Sequence, residues 1–276
     1  MENISWDAVL EGHLAVERRR VLAAARIGMA GAGGLGSNCA VFLARTGIRH
    51  FVIADPDVVA LSNLNRQHFF PRHLGLSKVE ALGDVLRELN PSITLRLERR
   101  ALDGAAARAL FAGCDVVVEA VDDPGTKKTL VEALLLGGFR VVSASGMAGW
   151  GGAPMTARRL GGRLVVVGDH TSEIGPGMPP LAPRVVMAAA LEADAVLEML
   201  LGRCGKEDQG RAGETRGRQS LSLSLSLSLL PPPFSPRQRL SALSNPSCRF
   251  SVNRRDLFLF SPGKRQRTSV LRASVS

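Results

Sequence analysis

The run "RIGMAGAGGLGSN", residues 26–38, constrains the fold more than any other feature of this chain. A short apolar segment passes directly into glycines at positions 31, 33, 34 and 36, and a helical pattern follows. Gly31, Gly33 and Gly36 satisfy G-x-G-x-x-G, the spacing of a strand–turn–helix unit whose backbone approaches a phosphate closely. Backbone N–H groups at the start of such a helix, aided by its dipole, form a site for phosphate oxygens. A unit of this kind is built into a sheet whose strands run parallel and whose faces are covered by helices.

The pattern downstream agrees. "HFVIA" (50–54), "ITLRLE" (93–98), "DVVVEAV" (115–121) and "RVVSAS" (140–145) read as further strands, and helices are predicted over 35–46, 77–89, 103–112 and 125–137. Strands alternating with helices require right-handed crossovers, hence a doubly wound, Rossmann-like, mostly parallel α/β sheet. "MTARRLGGRLVVVGD" breaks that rhythm. Two strand-like runs flank Gly161-Gly162, a hairpin signal, so antiparallel strands are expected at the C-terminal end of the sheet. A final helix is expected over about 184–201.

Charge divides the chain in two. The formal net charge is +10, but residues 1–202 contain 21 Lys+Arg and 21 Asp+Glu, so the excess belongs to residues 203–276. We therefore read 1–202 as the folded domain, with no electrostatic bias towards nucleic acid. Residues 203–276, with "SLSLSLSLSLL" and "PPPFSP", read as a low-complexity basic tail without a packed core. A strict Leu-Ser alternation suits an amphipathic strand, but an alternating CT repeat also encodes Leu-Ser in any frame, so a read-through or frameshifted end is the expectation. Cys39, Cys114, Cys204 and Cys248 form no C-x-x-C pair, which argues against a disulfide framework and a cysteine zinc site. The first residues lack a secretory pattern, and the apolar stretch 185–201 is interrupted by Glu192, Asp194 and Glu198. A cytoplasmic protein that does not span a membrane is the expectation.

The glycine loop alone serves NAD and ATP equally. Asp55, 19 residues beyond Gly36 at the end of the second strand, can accept hydrogen bonds from ribose hydroxyls of either. The next stretch, "DPDVVALSNLNRQ" (55–67), decides between them. It places amides and a guanidinium at Asn63, Asn65, Arg66 and Gln67, able to reach a phosphate chain. Lys78 follows at a predicted helix start, where the dipole disfavours a cation and another reason is needed. Two fixed cations exceed the needs of NAD and point to a triphosphate. Asp122 lies just past an apolar strand, at the sheet edge where open α/β folds bind ligands.

"GAGGLGSN", "D-x-D-x-V-x-x-SNLNRQ", "G-x-x-K", "EAVDDPGTKKTLVEALL", "VVSASGMAGWG" and "GDHTSEIGPG" in this order resemble the ThiF/MoeB/HesA family, relatives of ubiquitin-activating enzymes. The later segments are similar to its short ThiF-like group, and the resemblance covers 20–202. It implies ATP-dependent adenylylation of the C-terminal glycine of a ubiquitin-like sulfur carrier of ThiS type, with release of pyrophosphate, in thiamine thiazole synthesis by a homodimer. It places Gly31, Gly33, Gly34 and Gly36 against the nucleotide and Asp55 at the ribose. Ser62, Asn63, Leu64, Asn65 and Arg66 would surround the phosphates, with Gln67 in the same nucleotide set. Lys78 would bind the α-phosphate, and Asp122 with Asp123 would handle Mg²⁺. Arg66, Lys78 and Asp122 are thus the expected catalytic residues.

Several departures qualify the resemblance. Relatives that hold zinc use two C-x-x-C pairs, so no zinc is expected here. The loop after "SASG" lacks the cysteine that some relatives use for sulfur chemistry, which leaves adenylylation as the expected step. Asp123 stands where the family usually has Asn. Arg18, Arg19 and Arg20 receive no role and suit a helix surface. Other acceptors, such as a molybdopterin-type carrier or the carboxylate of a modified tRNA base, remain open. An NAD-dependent oxidoreductase would leave Arg66 and Lys78 unexplained.

Overall fold

The computed structural model describes residues 5–204, all within one structural unit. The expectations for residues 205–276, Cys248 included, lie outside the described residues. Seven strands form one sheet in the order β3-β2-β1-β4-β5-β7-β6. They are β1 (Arg26–Ala30), β2 (His50–Ala54), β3 (Thr94–Glu98), β4 (Val116–Glu119), β5 (Val141–Ala144), β6 (Thr156–Leu160) and β7 (Leu164–Gly168). All pairings are parallel except the β6–β7 hairpin, so the sheet ends in one antiparallel strand, as the Gly161-Gly162 turn predicts.

Among the described residues, seven α-helices accompany these strands: α1 (Trp6–Glu11), α2 (Val16–Ala24), α3 (Gly34–Arg45), α4 (Lys78–Leu89), α5 (Gly104–Leu110), α6 (Pro124–Leu136) and α7 (Ala182–Leu201). No helix bounds are predicted over 1–25, yet two short helices stand there, and Arg18, Arg19 and Arg20 fall on α2, as the helix-surface expectation has it. Arg19 is tied by its guanidinium to the Asp7 carbonyl, 3.0 Å away.

The period-2 alternation of each strand divides the interior into two cores. Ile27, Met29, Phe51, Ile53, Val116 and Val118 pack under α3, α4 and α7. Ala30, Val52, Ala54, Val117 and Val141 face α5 and α6, with Phe111, Leu130 and Leu134. Gly28 belongs to the second face: a Cβ there would lie 2.6 Å from the Phe111 ring, so the glycine makes room for the phenylalanine. Strands β4 and β5 are buried throughout, as expected of central parallel strands. Strand β6 is exposed along its whole length and carries Arg158 and Arg159, a charged edge that discourages pairing with another sheet. Among the described residues, no helix is long and apolar enough to cross a membrane.

Candidate active site

In an open α/β sheet, ligands bind beyond the carboxyl ends of the strands where the strand order reverses. Here the order reverses between β1 and β4, and a cleft of about 410 Å³ opens there. Its walls come from the loops after β1, β2, β3 and β4, the first turns of α3, α4 and α6, and the segment before α7.

Glycine shapes the floor. Gly31 has φ +106° and would place a Cβ 2.7 Å from the Ala120 carbonyl, so only glycine suits this crossing. Gly36 is a packing glycine: a Cβ there would stand 2.0 Å from the Gly31 oxygen, and the residue does not line the cleft. Gly33 differs from both. Its Cβ would meet only the Gln67 amide nitrogen, 3.8 Å away, leaving space open to the cleft. Because α3 begins at Gly34, the first N–H groups of that helix have no intrahelical acceptor and are available to an anion.

Asp55 holds this loop in place. Its Oδ2 accepts the Ala32 N–H at 2.7 Å and its Oδ1 accepts the Asp57 N–H at 2.9 Å. A carboxylate has about four lone-pair positions, so capacity for further donors remains. Lys78 is buried at the start of α4, and its Nζ donates to Asp57 Oδ2 at 2.7 Å. Asp57, 61% exposed in its side chain, supplies the counter-charge that the helix dipole withholds.

Arg66 reaches the cleft from the loop after β2, its Nη1 fixed by the Ser62 carbonyl at 3.0 Å and Asn65 Oδ1 at 2.8 Å. Ser62, Asn63, Leu64 and Asn65 do not line the cleft, and Leu64 packs against the main core instead. Residues 61–63 form a 3₁₀ turn, closed by Asn63 Oδ1 accepting the Ala60 N–H, a usual task for Asn. Asn65 also donates to the Pro180 carbonyl at 3.3 Å, and Asn38 donates to the Arg66 carbonyl at 2.9 Å. Gln67 lines the cleft with its Oε1 buried and without a partner among the described residues, a polar atom that a ligand would satisfy.

Opposite the cations stand Asp122 and Asp123, both exposed. Asp123 is the N-cap of α6: its carboxylate accepts the Thr126 N–H at 2.7 Å, which lowers its pKa. Asn caps a helix equally well, which accounts for Asp at this position. With Asp55, Asp57 and Asp123 thus engaged, Asp122 is the carboxylate of the cleft left uncommitted among the described residues. One carboxylate facing phosphate oxygens fits the usual way Mg²⁺ is held.

The sequence reasoning missed Asp57, Lys127 and the Glu119 that grips Lys127 at 2.7 Å, all in or beside the cleft. The second "D" of "DPD" was the available signal for the first. Also missed was the buried pair Arg184–Asp169, which ties α7 to the loop after β7; Arg184 further donates to the Ala153 carbonyl at 3.1 Å. Burial raises the pKa of Asp169, but N–H donors from Ser172 and Thr171, the Ser172 hydroxyl and Arg184 outweigh it and hold the carboxyl well below its usual range. Cys39 is buried and Cys114 half-buried, as suits small packing residues. Burial pushes the Cys39 thiol up strongly and that of Cys114 to about 11.

Residues 9–218 match the sequence profile of the ThiF family. Among similar proteins is the adenylyltransferase and sulfurtransferase UBA4 of Yarrowia lipolytica, 35% identical over 138 residues, 50% of this chain and 33% of the relative. The counterpart of Aspergillus clavatus is 33% identical over 167 residues, 60% of this chain and 30% of the relative. The chain thus spans about a third of the length of these relatives. In fold it is similar to the E. coli tRNA N6-threonylcarbamoyladenosine dehydratase TcdA in complex with ATP, with a TM-score of 0.62 and 19% identity over 71% of this chain and 93% of that one. It is also similar to E. coli MccB, with a TM-score of 0.53 and 21% identity over 67% of this chain and 58% of that one. At such identities these structures speak to the fold alone. With the family profile covering most of its length, the chain belongs to the ThiF family.

Proposed function

We propose that the protein is an ATP-dependent adenylyltransferase acting on the C-terminal carboxylate of a small ubiquitin-like protein. The observation that carries this reading is the convergence on one cleft of the N-terminus of α3, Lys78, Arg66 and the uncommitted Asp122. Attack of a carboxylate oxygen on the α-phosphorus brings two anions together, so fixed positive charge must already surround the phosphates. In the reaction the carboxylate–phosphorus bond forms, the bond from the α-phosphorus to the bridging oxygen breaks, and pyrophosphate leaves with the electron pair. No proton transfer is required.

Gly33 lets the α3 amides approach the phosphates. Gly34 lines the cleft while leaving room for Val185, whose Cγ1 a Cβ there would meet at 2.8 Å. Asp55 faces the ribose while anchoring the loop. Lys78 and Arg66 supply the fixed cations, and Gln67 offers its unpartnered oxygen to the nucleotide. Asp122 is the residue that would hold Mg²⁺, which when bound neutralises phosphate charge. TcdA, a neighbour in fold, is solved in complex with ATP and with AMP, which supports the choice of ATP over NAD.

The finer expectation, a ThiS-type carrier for thiamine synthesis, draws no support from these relatives. UBA4 is named for sulfur transfer as well as adenylylation, which favours a carrier whose adenylate is passed on to sulfur. The likeness to TcdA favours, as a second reading, a carboxylate borne by a tRNA base. The balanced charge of 1–202 disfavours it, because tRNA binding draws on phosphate contacts from a basic surface. The homodimer belongs to the same reading. Val58, Leu61, Phe70, Leu74 and Leu76, all within residues 58–76, are exposed apolar side chains that a partner subunit could cover. ATP–pyrophosphate exchange with a panel of Gly-Gly-ended carriers and with modified tRNA tests the proposal; exchange with a carrier supports it, and exchange with tRNA alone selects the second reading.

A further inference from the structure

Glu119, the last residue of β4, is fully buried, and its carboxylate joins three elements. Oε1 accepts the Val121 N–H at 2.8 Å; Oε2 accepts Lys127 Nζ of α6 at 2.7 Å and Ser143 Oγ of β5 at 2.6 Å. The turn between Glu119 and Lys127 carries Asp122. It is held at its start by Glu119 on the Val121 amide and at its end by Asp123 on the Thr126 amide.

Lys127 lines the cleft, yet its ammonium is already committed to Glu119. Glu192 of α7 is buried beside this pair, with neither oxygen partnered among the described residues. Burial pushes its carboxyl up, against the pull of Lys127 and with the push of Glu119. The ammonium of Lys127 is thus the counter-charge that the geometry sets directly against the buried Glu119 carboxylate.

We propose that Lys127 is a positioning residue, which by neutralising the buried Glu119 fixes the 121–123 turn so that Asp122 faces the cleft. The inference rests on the adenylylation reading for the purpose of the turn, though not for the turn's construction. Removing the ammonium alone leaves a buried, uncompensated carboxylate, which must take a proton or swing towards water. The swing takes the acceptor from the Val121 amide and frees Asp122, whereas a protonated Glu119 keeps its carbonyl oxygen on that amide, the outcome that overturns the proposal.

The test pairs Lys127→Met with the double variant Lys127→Met/Glu119→Gln, in which the neutral glutamine oxygen again accepts the Val121 amide. Two readouts are taken: hydrogen exchange of the Val121 amide in the free protein, and ATP–pyrophosphate exchange. Lys127→Met should speed Val121 amide exchange and lower pyrophosphate exchange by about a hundredfold, as a misplacement near 1 Å does. The double variant should restore most of both. If the double variant stays as impaired as Lys127→Met while Val121 remains protected, Lys127 acts on the ligand directly and the proposal is wrong. An unchanged Val121 amide in Lys127→Met also overturns it. If the wild type exchanges pyrophosphate with no acceptor while the amide loss and rescue persist, the adenylylation reading fails and the positioning of the turn stands.

Discussion

Lys78 Nζ lies 2.7 Å from Asp57 Oδ2, although the two residues are 21 positions apart in the chain. The lysine stem is buried and the aspartate is largely in water, so the pair points a cation into the cleft from a rigid helix start. Breaking it from the lysine side leaves an aspartate that water can solvate. Lys78→Met should therefore cost no more than about 1 kcal/mol of stability from the lost ion pair. Pyrophosphate exchange should fall by about 10²–10³, as when one preorganised charge donor is removed. Thermal unfolding and exchange on the same sample check both.

Asp55 is predicted to matter for the fold as well as for the ribose. Both of its oxygens accept backbone N–H groups, from Ala32 and Asp57, and the side chain is buried. An asparagine side chain in its place presents only one oxygen, so one N–H loses its acceptor and faces a second donor. Asp55→Asn should lower unfolding free energy in urea by about 1–3 kcal/mol and weaken ATP binding measured by calorimetry.

The glycines of the loop should separate by substitution. Gly36→Ala drives a Cβ to 2.0 Å from the Gly31 oxygen and should prevent folding, seen as loss of soluble protein. Gly33→Ala meets nothing nearer than 3.8 Å and should fold, but its methyl occupies the approach to the α3 amides. ATP affinity should therefore fall while the unfolding temperature stays close to that of the wild type.

Glu192 gives the pH prediction. Its carboxyl is raised in the folded state, so between the unfolded value near 4.3 and the folded one the native protein binds more protons than the unfolded chain. Stability from this group is fully present below that window and falls as pH rises through it, with a slope of up to about 1.4 kcal/mol per pH unit. Glu192→Gln removes the titration. It should be more stable than the wild type at pH 7 and show no such gain at pH 4, by urea unfolding at both values.

The sheet and its glycine turn were legible because they rest on local pattern: strand alternation, the glycine spacing and the Gly161-Gly162 hairpin. Helix ends came out within a residue or two, as at α7, predicted from 184 and observed from Ala182. The cleft was legible less evenly. Asp55, Arg66, Gln67, Lys78 and Asp122 line it as the residue types suggested, whereas Ser62, Asn63, Leu64 and Asn65 serve the turn that presents Arg66. Asn and Ser are equally at home in turns and at phosphates, so spacing could not separate these uses. The Lys78–Asp57, Lys127–Glu119 and Arg184–Asp169 pairs were not legible, because each joins residues that only the folded chain brings together.

The most direct test of adenylylation is ATP–pyrophosphate exchange by the full chain with Mg²⁺ and a carrier ending in Gly-Gly, beside the Asp122→Ala variant. We expect exchange that requires the carrier's free carboxylate, lost in Asp122→Ala while the unfolding temperature is unchanged. Absence of exchange with every acceptor, together with binding of NADH, would contradict the account; an Asp122→Ala variant as active as the wild type would remove the metal assignment.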